Sequence, residues 1–370
     1  MQTSLARLFN GLLLIVQSAL GVAGFAAATV LLANSLELPL QPFASMALAL
    51  GLGFIATLVH EGGHWLGARL GGMTVIQAGA YGFEIQPQRH GLRLRWTRRR
   101  KDQPFSGYVM AVDRADQPWR RSRMLMIAGG PLMNLLMAML TLTIALATLS
   151  HLGPLLAFAA INLGIGLGNL VPTFRRMHSD GGQLLAWWRR PDESSPDFAY
   201  TRVQALSVAG VSAVDLPQAD LDILASQPMP LPLVALVYRL TALQMQGNWA
   251  AAVALEAPLK QMLAVHPELQ RVATTLLASL RHELAFSRAM LEGNASALNM
   301  PLLNQDLDWY SPALKHCCRA LQAALAGDQA NVEAQLQKAE ALAHNSLVKS
   351  AIAQQAAVSA HIRQVAAQAA

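Results

Sequence analysis

Long uncharged runs dominate the first half of the chain. No Asp, Glu, Lys or Arg occurs between Arg7 and Glu37, and three further runs, at residues 38–59, 124–150 and 152–174, also lack charge. A helix needs about 20 apolar residues to cross a bilayer. The pattern therefore predicts four transmembrane helices, near residues 9–33, 45–69, 124–149 and 154–172. A cleaved signal peptide is the alternative for the first run, but its apolar stretch exceeds the roughly 7–15 residues of such a segment.

A different periodicity separates the second and third runs. Val75–Ile85 is rich in β-branched and aromatic residues, Pro87–Gly91 contains turn-forming residues, and Leu92–Trp96 alternates strictly between apolar and basic residues. Strict alternation is typical of a half-buried strand. We predict a small β-hairpin insertion within residues 74–122 that lies at the membrane interface. Such a hairpin suits two roles, adding a strand to an unwound substrate and anchoring the protein on anionic lipid.

From about Asp192 onwards, Ala, Leu and Gln recur with helical spacing. Three short segments resemble one another, Gly247–Ala250, Gly293–Ser296 and Gly327–Ala330, and the last two start 34 residues apart. That separation is the period of tetratricopeptide helix hairpins. We predict an all-α, TPR-like domain over residues 192–370, which serves either as a surface for a protein partner or as a stabilising appendage.

Composition agrees with a membrane half followed by a soluble half. Hydrophobic residues make up 53% of the chain and charged residues only 14%, whereas an average soluble protein has about 25% charged residues. The net charge is +6, and eleven of the 28 Lys and Arg lie between Arg89 and Arg123. Such a cluster can indicate nucleic-acid binding, but beside membrane helices it marks the cytoplasmic side. We predict no nucleic-acid partner.

The basic cluster also orients the predicted helices. With residues 71–123 in the cytoplasm, the segment at residues 34–43, which has no Lys or Arg, falls outside, and Arg175 and Arg176 fall inside. Both termini are then cytoplasmic, in what we predict to be a multi-pass protein of a bacterial inner membrane. The only cysteines, Cys317 and Cys318, are adjacent. They fit helix packing in a reducing compartment rather than a disulfide or zinc framework.

The end of the second run carries a metal-binding spacing, His60-Glu61-x-x-His64. Residues i and i+4 share one face of a helix, so both imidazoles can point at one ion. Glu61 can then act on a water bound to that ion as general base. The alternative is that these residues only cap the cytoplasmic end of a span. Ionisable residues inside a span are costly and seldom lack a role.

Two imidazoles need a third protein ligand to form a catalytic zinc site. The fourth run ends at the same predicted depth and is followed by His178 and Asp180. Glycines at 181 and 182 allow the backbone to turn sharply after Asp180. On chemistry alone the two candidates are equivalent.

Three separated motifs resemble the site-2 protease family of intramembrane zinc metalloproteases. They are His60-Glu61-Gly62-Gly63-His64, Gly129-Gly130-Pro131-Leu132-Met133-Asn134, and Asn169-Leu170-Val171-Pro172 followed by Asp180-Gly181. The resemblance covers about residues 45–185, within a predicted protease domain at 1–185. It implies one zinc ion, Asp180 rather than His178 as third ligand, and a membrane-protein or peptide substrate. Seven residues separate Pro172 from Asp180, which is longer than the family often has, and the family's frequent PDZ insertion is absent.

Small and polar residues at membrane depth predict how the helices assemble. Gly51, Gly53, Gly63 and Gly67 allow close approach of helices, and we expect a core built from the second to fourth spans. Asn134 and Asn169 are expected to hydrogen-bond inside that core, or alternatively to support substrate or intermediate. The predicted function is an intramembrane zinc protease. The alternatives are a catalytically inactive zinc-binding scaffold that uses the helical domain for partners, and a metal transporter, which would require internal repeats that are not visible.

Overall fold

A computed structural model describes residues 2–36, 41–97, 107–148, 151–174, 179–298 and 305–369. The described residues form mostly helix with one small sheet. They divide into two compact units, Met1–Pro87 with Leu92–Glu193 and Gln88–Gly91 with Ser194–Ala370. The basic run Arg98–Lys101, the residues Arg175 and Arg176, and the rival ligand His178 lie outside the described residues.

Four helices of the first unit are long and apolar enough to cross a membrane. They are α1 Gln2–Ser35, α2 Gln41–Leu70, α3 Trp119–Thr148 and α4 Leu152–Leu170. Each of the four predicted spans coincides with one of them. The fourth span was predicted to residue 172, but α4 ends at Leu170 because Val171, which precedes Pro172, is extended. A residue before proline is disfavoured in the helical region.

Close backbone approach joins the helices into a bundle. Gly63 of α2 lies against Gly129 of α3, and a Cβ atom on either residue would overlap the other backbone. In a second close contact, Gly24 of α1 faces Gly164 of α4, where a Cβ at position 24 would lie 3.2 Å from the Gly164 Cα. The predicted core of spans two to four is present, because α2, α3 and α4 pack against one another, and α1 packs along α4 in addition.

Two of the glycines predicted to pack between helices, Gly51 and Gly53, do not lie in a helix contact within the described part of the chain. A Cβ at Gly51 or Gly53 would meet nothing within 4 Å, so these residues do not mediate helix contacts among the described residues. Gly67 does, because a Cβ there would overlap the carbonyl of Leu125 in α3. The Gly-x-x-x-Gly pair thus forms the α2–α3 contact next to the two histidines, while the deeper glycines do not.

The insertion after α2 is a four-stranded antiparallel sheet rather than the single hairpin predicted. Its strands are β1 Thr74–Ala80, β2 Phe83–Pro87, β3 Leu92–Trp96 and β4 Gly107–Val112, in the order β3-β2-β1-β4. Tyr81 and Gly82 split the predicted first strand, since both have positive φ, 51° and 94°. Two such residues form the tight turn that suits the twist of a hairpin. The strand β4 lies within the predicted β insertion at residues 74–122, but no individual strand was predicted at its position.

The sheet is fixed to α2 close to the histidines. The Tyr81 hydroxyl donates to Thr57 Oγ1 at 2.8 Å, and the Tyr81 ring lies 4.5 Å from that of Phe54. On the far side of β1, Gly79 pairs with Tyr108 of β4. These contacts set where β4 runs relative to the end of α2.

The remaining elements are helical, as predicted. A short helix α5 covers Asp180–Trp188. The second unit contains α6 Ala199–Ala209, α7 Gln218–Ser226, α8 Leu231–Met245, α9 Trp249–Ala254, α10 Glu256–Val265, α11 Leu269–Val272, α12 Thr274–Glu292, α13 Gln305–Tyr310, α14 Pro312–Leu325, α15 Gln329–Asn345 and α16 Ser350–Ala369, with 3-10 turns at Pro196–Phe198 and Ala295–Leu298. Cys317 and Cys318 are buried in the hydrophobic core of this unit.

Two of the three repeated segments are turns between consecutive helices. Gly247 and Gly327 have positive φ after α8 and α14. The following residues cap the next helix, with the Asn248 and Asp328 side chains accepting from backbone N–H groups three residues on. The segment at Gly293 differs because it leads into a 3-10 turn. The TPR-like assignment stays a prediction.

Candidate metal centre

The side chains of His60 and His64, both on α2, converge on one point. Their Nε2 atoms lie 3.1 Å apart, and the rings meet edge to face with centroids 4.6 Å apart. Only 9% of the His60 side chain and 12% of the His64 side chain is exposed. The i, i+4 spacing thus produces the convergence expected from helical geometry.

The Asp180 carboxylate faces both rings. Its Oδ2 lies 3.1 Å from His60 Nε2 and its Oδ1 lies 3.6 Å from His64 Nε2, with 12% of the side chain exposed. One ligand atom from each of the three residues lies within 4.8 Å of the others. This buried group could hold a metal ion. His178, the rival ligand, lies outside the described residues.

Local hydrogen bonds hold Asp180 in this position. Ser179 caps α5, accepting from the Gly182 N–H at 3.1 Å, and its hydroxyl donates to the Val171 carbonyl at 2.6 Å. This second bond ties the start of α5 to the residue that follows α4. Because α5 begins at Asp180, the carboxylate projects from the first turn of a capped helix.

The outer nitrogens of the two imidazoles are both engaged. His60 Nδ1 lies 2.6 Å from Asn134 Oδ1, and His64 Nδ1 lies 2.8 Å from the Met126 carbonyl oxygen. An amide oxygen and a carbonyl oxygen accept, so each Nδ1 carries the proton and donates. The Nε2 lone pairs are then directed at the Asp180 carboxylate. In metal sites, hydrogen bonds of this kind from the non-ligating ring nitrogen orient the histidine ligands.

A second asparagine fixes the orientation of the Asn134 amide. Asn134 Nδ2 donates to the Asn162 Oδ1 at 2.7 Å and to the Ala56 carbonyl at 2.9 Å. Asn162 Nδ2 in turn donates to the Phe158 carbonyl, one turn earlier in α4. Both asparagines are fully buried. The chain of donors leaves only Asn134 Oδ1 for His60, so a polar network across α2, α3 and α4 determines the His60 tautomer.

The sequence interpretation missed Asn162, and Asn169 lies outside the network that Asn162 joins. Asn162 carried a usable signal, since it is a polar residue inside an uncharged run, as Asn134 is. Asn169 does not join this network, because its Nδ2 donates at 3.2 Å to the Ile165 carbonyl of its own helix. Its place is the wall of the cavity beside the histidines.

Gly130 makes room for the two imidazoles. A Cβ at this position would lie 2.5 Å from His64 Nε2 and 2.8 Å from His60 Nε2, which is closer than any real carbon approaches. Any side chain here would occupy the space in front of the nitrogens. The glycine thus leaves open the volume that an ion and its fourth ligand would require.

Glu61 lies in the same cavity as the three candidate ligands. The cavity measures about 480 Å³ and is lined from α2, β4, α3, α4 and α5, a volume typical of ligand sites. The strand β4 closes on Glu61 from one side, since a Cβ at Gly107 would come within 2.6 Å of the Glu61 Cδ and Oε1. A carboxylate is therefore positioned beside the metal-binding group without belonging to it.

Comparisons of the chain with profiles of known protein families, with curated protein sequences and with solved structures found no match. The function is therefore inferred from the geometry of this site.

Proposed function

We propose that this chain is an intramembrane zinc metalloprotease that hydrolyses membrane-protein or peptide substrates near the cytoplasmic face of a bacterial inner membrane. The convergence of His60, His64 and Asp180, with both outer imidazole nitrogens donating, carries the proposal. Two histidines and a carboxylate are a common ligand set for catalytic zinc, which keeps a fourth position for water. Zinc thus fits the donors present.

The chemistry divides between the metal and Glu61. When bound, zinc would lower the pKa of a coordinated water and polarise the scissile carbonyl. Glu61 is the residue in the cavity suited to accept the proton of the attacking water and to return it to the leaving amine. Asn169 lines the cavity, and we propose that it hydrogen-bonds substrate. Asn134 is assigned a positioning role through His60 instead.

Substrate access is proposed to use the edge of β4. This strand pairs with β1 on one side, and none of the described strands pairs with its other side. Its first residue lies against Glu61. A substrate segment unwound from its helix could add along this edge and satisfy its backbone groups there. Main-chain pairing would accept varied sequences and bring one peptide bond to the carboxylate.

The orientation proposed follows the distribution of basic residues. Lys and Arg concentrate between α2 and α3, which by the positive-inside rule places this segment and both termini in the cytoplasm. The metal centre lies towards the same end of the bundle, since His64 is six residues from the end of α2 at Leu70. Cleavage near the cytoplasmic face is the consequence.

The experiment that tests the proposal separates metal binding from turnover. Purified protein in detergent is incubated with a proteome-derived peptide mixture, new termini are identified by mass spectrometry, and zinc is measured by elemental analysis. Glu61→Gln is expected to retain zinc and lose cleavage, while the exposed Asp116→Asn serves as matched control and should retain both. Cleavage by Glu61→Gln at the wild-type rate would refute the protease, and zinc binding without any cleavage by wild type would favour an inactive scaffold.

A further inference from the structure

A second cavity lies inside the helical unit. It measures about 390 Å³ and is lined from α6, α8, α12, the junction of α13 with α14, and α16. Among the described residues that line it, Glu283 of α12 is the only charged one. A carboxylate inside a helical array is unusual, because burying a charge is costly unless a partner compensates it.

Within the part of the chain that the structure describes, the Glu283 carboxylate has a neutral hydrogen-bond partner and no cationic one. Gln244 Nε2 donates to Glu283 Oε2 at 3.0 Å, and the same nitrogen also lies 3.0 Å from Ser287 Oγ. No Lys or Arg among the described residues perturbs this carboxylate, and burial raises its pKa to about 7. A carboxylate can accept about four hydrogen bonds. Most of this accepting capacity therefore remains for a group that enters the cavity.

The remaining lining suits the stem and head of an aliphatic cation. Hydroxyl pairs flank the cavity, Ser207 with Ser350 at 2.7 Å and Ser279 with Ser311 at 3.1 Å. Buried leucines and the Tyr238 ring supply apolar and aromatic surface. Aromatic faces attract ammonium groups, and aliphatic carbons pack against leucine.

We propose that this cavity binds an alkylammonium group, with its charge against Glu283 and its carbon stem among the leucines. The proposal is independent of the protease, since every residue it uses lies in the helical unit. The group could come from a lysine side chain of a peptide or from a free aliphatic amine. Both present the same chemistry to the cavity, and the experiment separates them.

The test is isothermal titration calorimetry on the full chain in detergent at a pH where Glu283 is ionised. The probes are butylammonium, Nα-acetyl-lysine N-methylamide and the neutral control butanol. Glu283→Gln keeps the shape of the side chain and removes its charge, and Glu292→Gln, exposed on the same helix, is the matched control. Thermal unfolding of each variant verifies that it is folded.

An amine is expected to bind wild type and Glu292→Gln equally, and Glu283→Gln about 10-fold to 100-fold more weakly, as for a lost charge-assisted hydrogen bond. Tighter binding of the lysine derivative than of butylammonium identifies a peptide lysine as the source, and the reverse identifies a free amine. The proposal is overturned if neither amine binds, if butanol binds as tightly as butylammonium, or if folded Glu283→Gln binds as wild type does.

Discussion

His60 Nδ1 lies 2.6 Å from Oδ1 of Asn134, a side chain 74 positions further along the chain. The asparagine amide is itself held by Asn162 and the Ala56 carbonyl. The bond links one candidate ligand to the packing of three helices. The candidate metal site is therefore a property of the assembled bundle, although two of its residues, His60 and His64, are close neighbours in sequence.

Removing Asn134 should weaken metal binding without removing a ligand. Asn134→Ala frees the His60 ring to rotate and leaves its tautomer unspecified, and loss of such an outer partner typically costs about 10-fold to 100-fold in metal affinity. Competition with a chromophoric chelator measures the change. Asn169→Ala is the matched control, because Asn169 bonds only its own helix. Equal zinc affinity in both variants would contradict the role given to Asn134.

A side chain at position 130 should exclude the metal. Gly130→Ala places a methyl group against both Nε2 atoms, so zinc content is expected to fall well below one per chain, as read by elemental analysis. Gly53→Ala is the control, since a Cβ there meets nothing within 4 Å. Full zinc occupancy in folded Gly130→Ala would show that the ion lies elsewhere.

A side chain at position 107 should impair catalysis while sparing zinc. Gly107→Ala pushes a methyl group against the Glu61 carboxyl, and displacement of a catalytic group by about 1 Å can cost about 100-fold in rate. Turnover on the peptide mixture is expected to fall with zinc content unchanged. A variant that cleaves normally would mean that Glu61 does not need the position it has beside β4.

The helical unit should lose stability as pH rises towards neutrality. Burial raises the pKa of Glu283 from 4.5 to about 7, so the folded chain holds a proton that the unfolded chain releases. Stability from this proton is complete below about pH 4.5 and disappears as pH rises through about 7, an effect on the order of 3 kcal/mol. Burial also raises the pKa values of the Cys317 and Cys318 thiols. Because these thiols stay neutral in this pH range, they do not offset the loss of stability that Glu283 causes.

Urea unfolding of the full chain, followed by circular dichroism at about pH 5 and about pH 8, measures this effect. Glu283→Gln should gain stability relative to wild type at the higher pH, because its side chain has no proton to lose. Glu292→Gln should follow wild type at both. A constant difference between Glu283→Gln and wild type across this range would contradict the prediction.

Much of the site was readable from the sequence because each signal was local. The spacing of His60 and His64 fixes their common face, and Asp180 with its two following glycines lies a few residues after the fourth apolar run. The resemblance chose Asp180 over His178, and the structure brings the Asp180 carboxylate to both rings. The four apolar helices and the helical second unit likewise follow from patterns within single segments.

The features that the sequence did not predict are contacts between two segments that lie far apart along the chain. Membrane helices are apolar all round, so no stripe of residues showed that α1 packs along α4 through Gly24. A lone polar residue such as Asn162 reveals that a partner exists but not which one. The strand β4 is a short apolar run that borders the undescribed basic segment, and only its pairing with β1 defines it.

Zinc X-ray absorption spectroscopy on purified wild type and Asp180→Ala tests whether His60, His64 and Asp180 together bind a zinc ion. We predict one zinc per chain in wild type, with two imidazole nitrogens and oxygen ligands at about 2.0–2.1 Å and no sulfur. Asp180→Ala should lose zinc or replace the carboxylate signal with water. A wild-type protein that binds no zinc, or an Asp180→Ala spectrum identical to that of wild type, would contradict it.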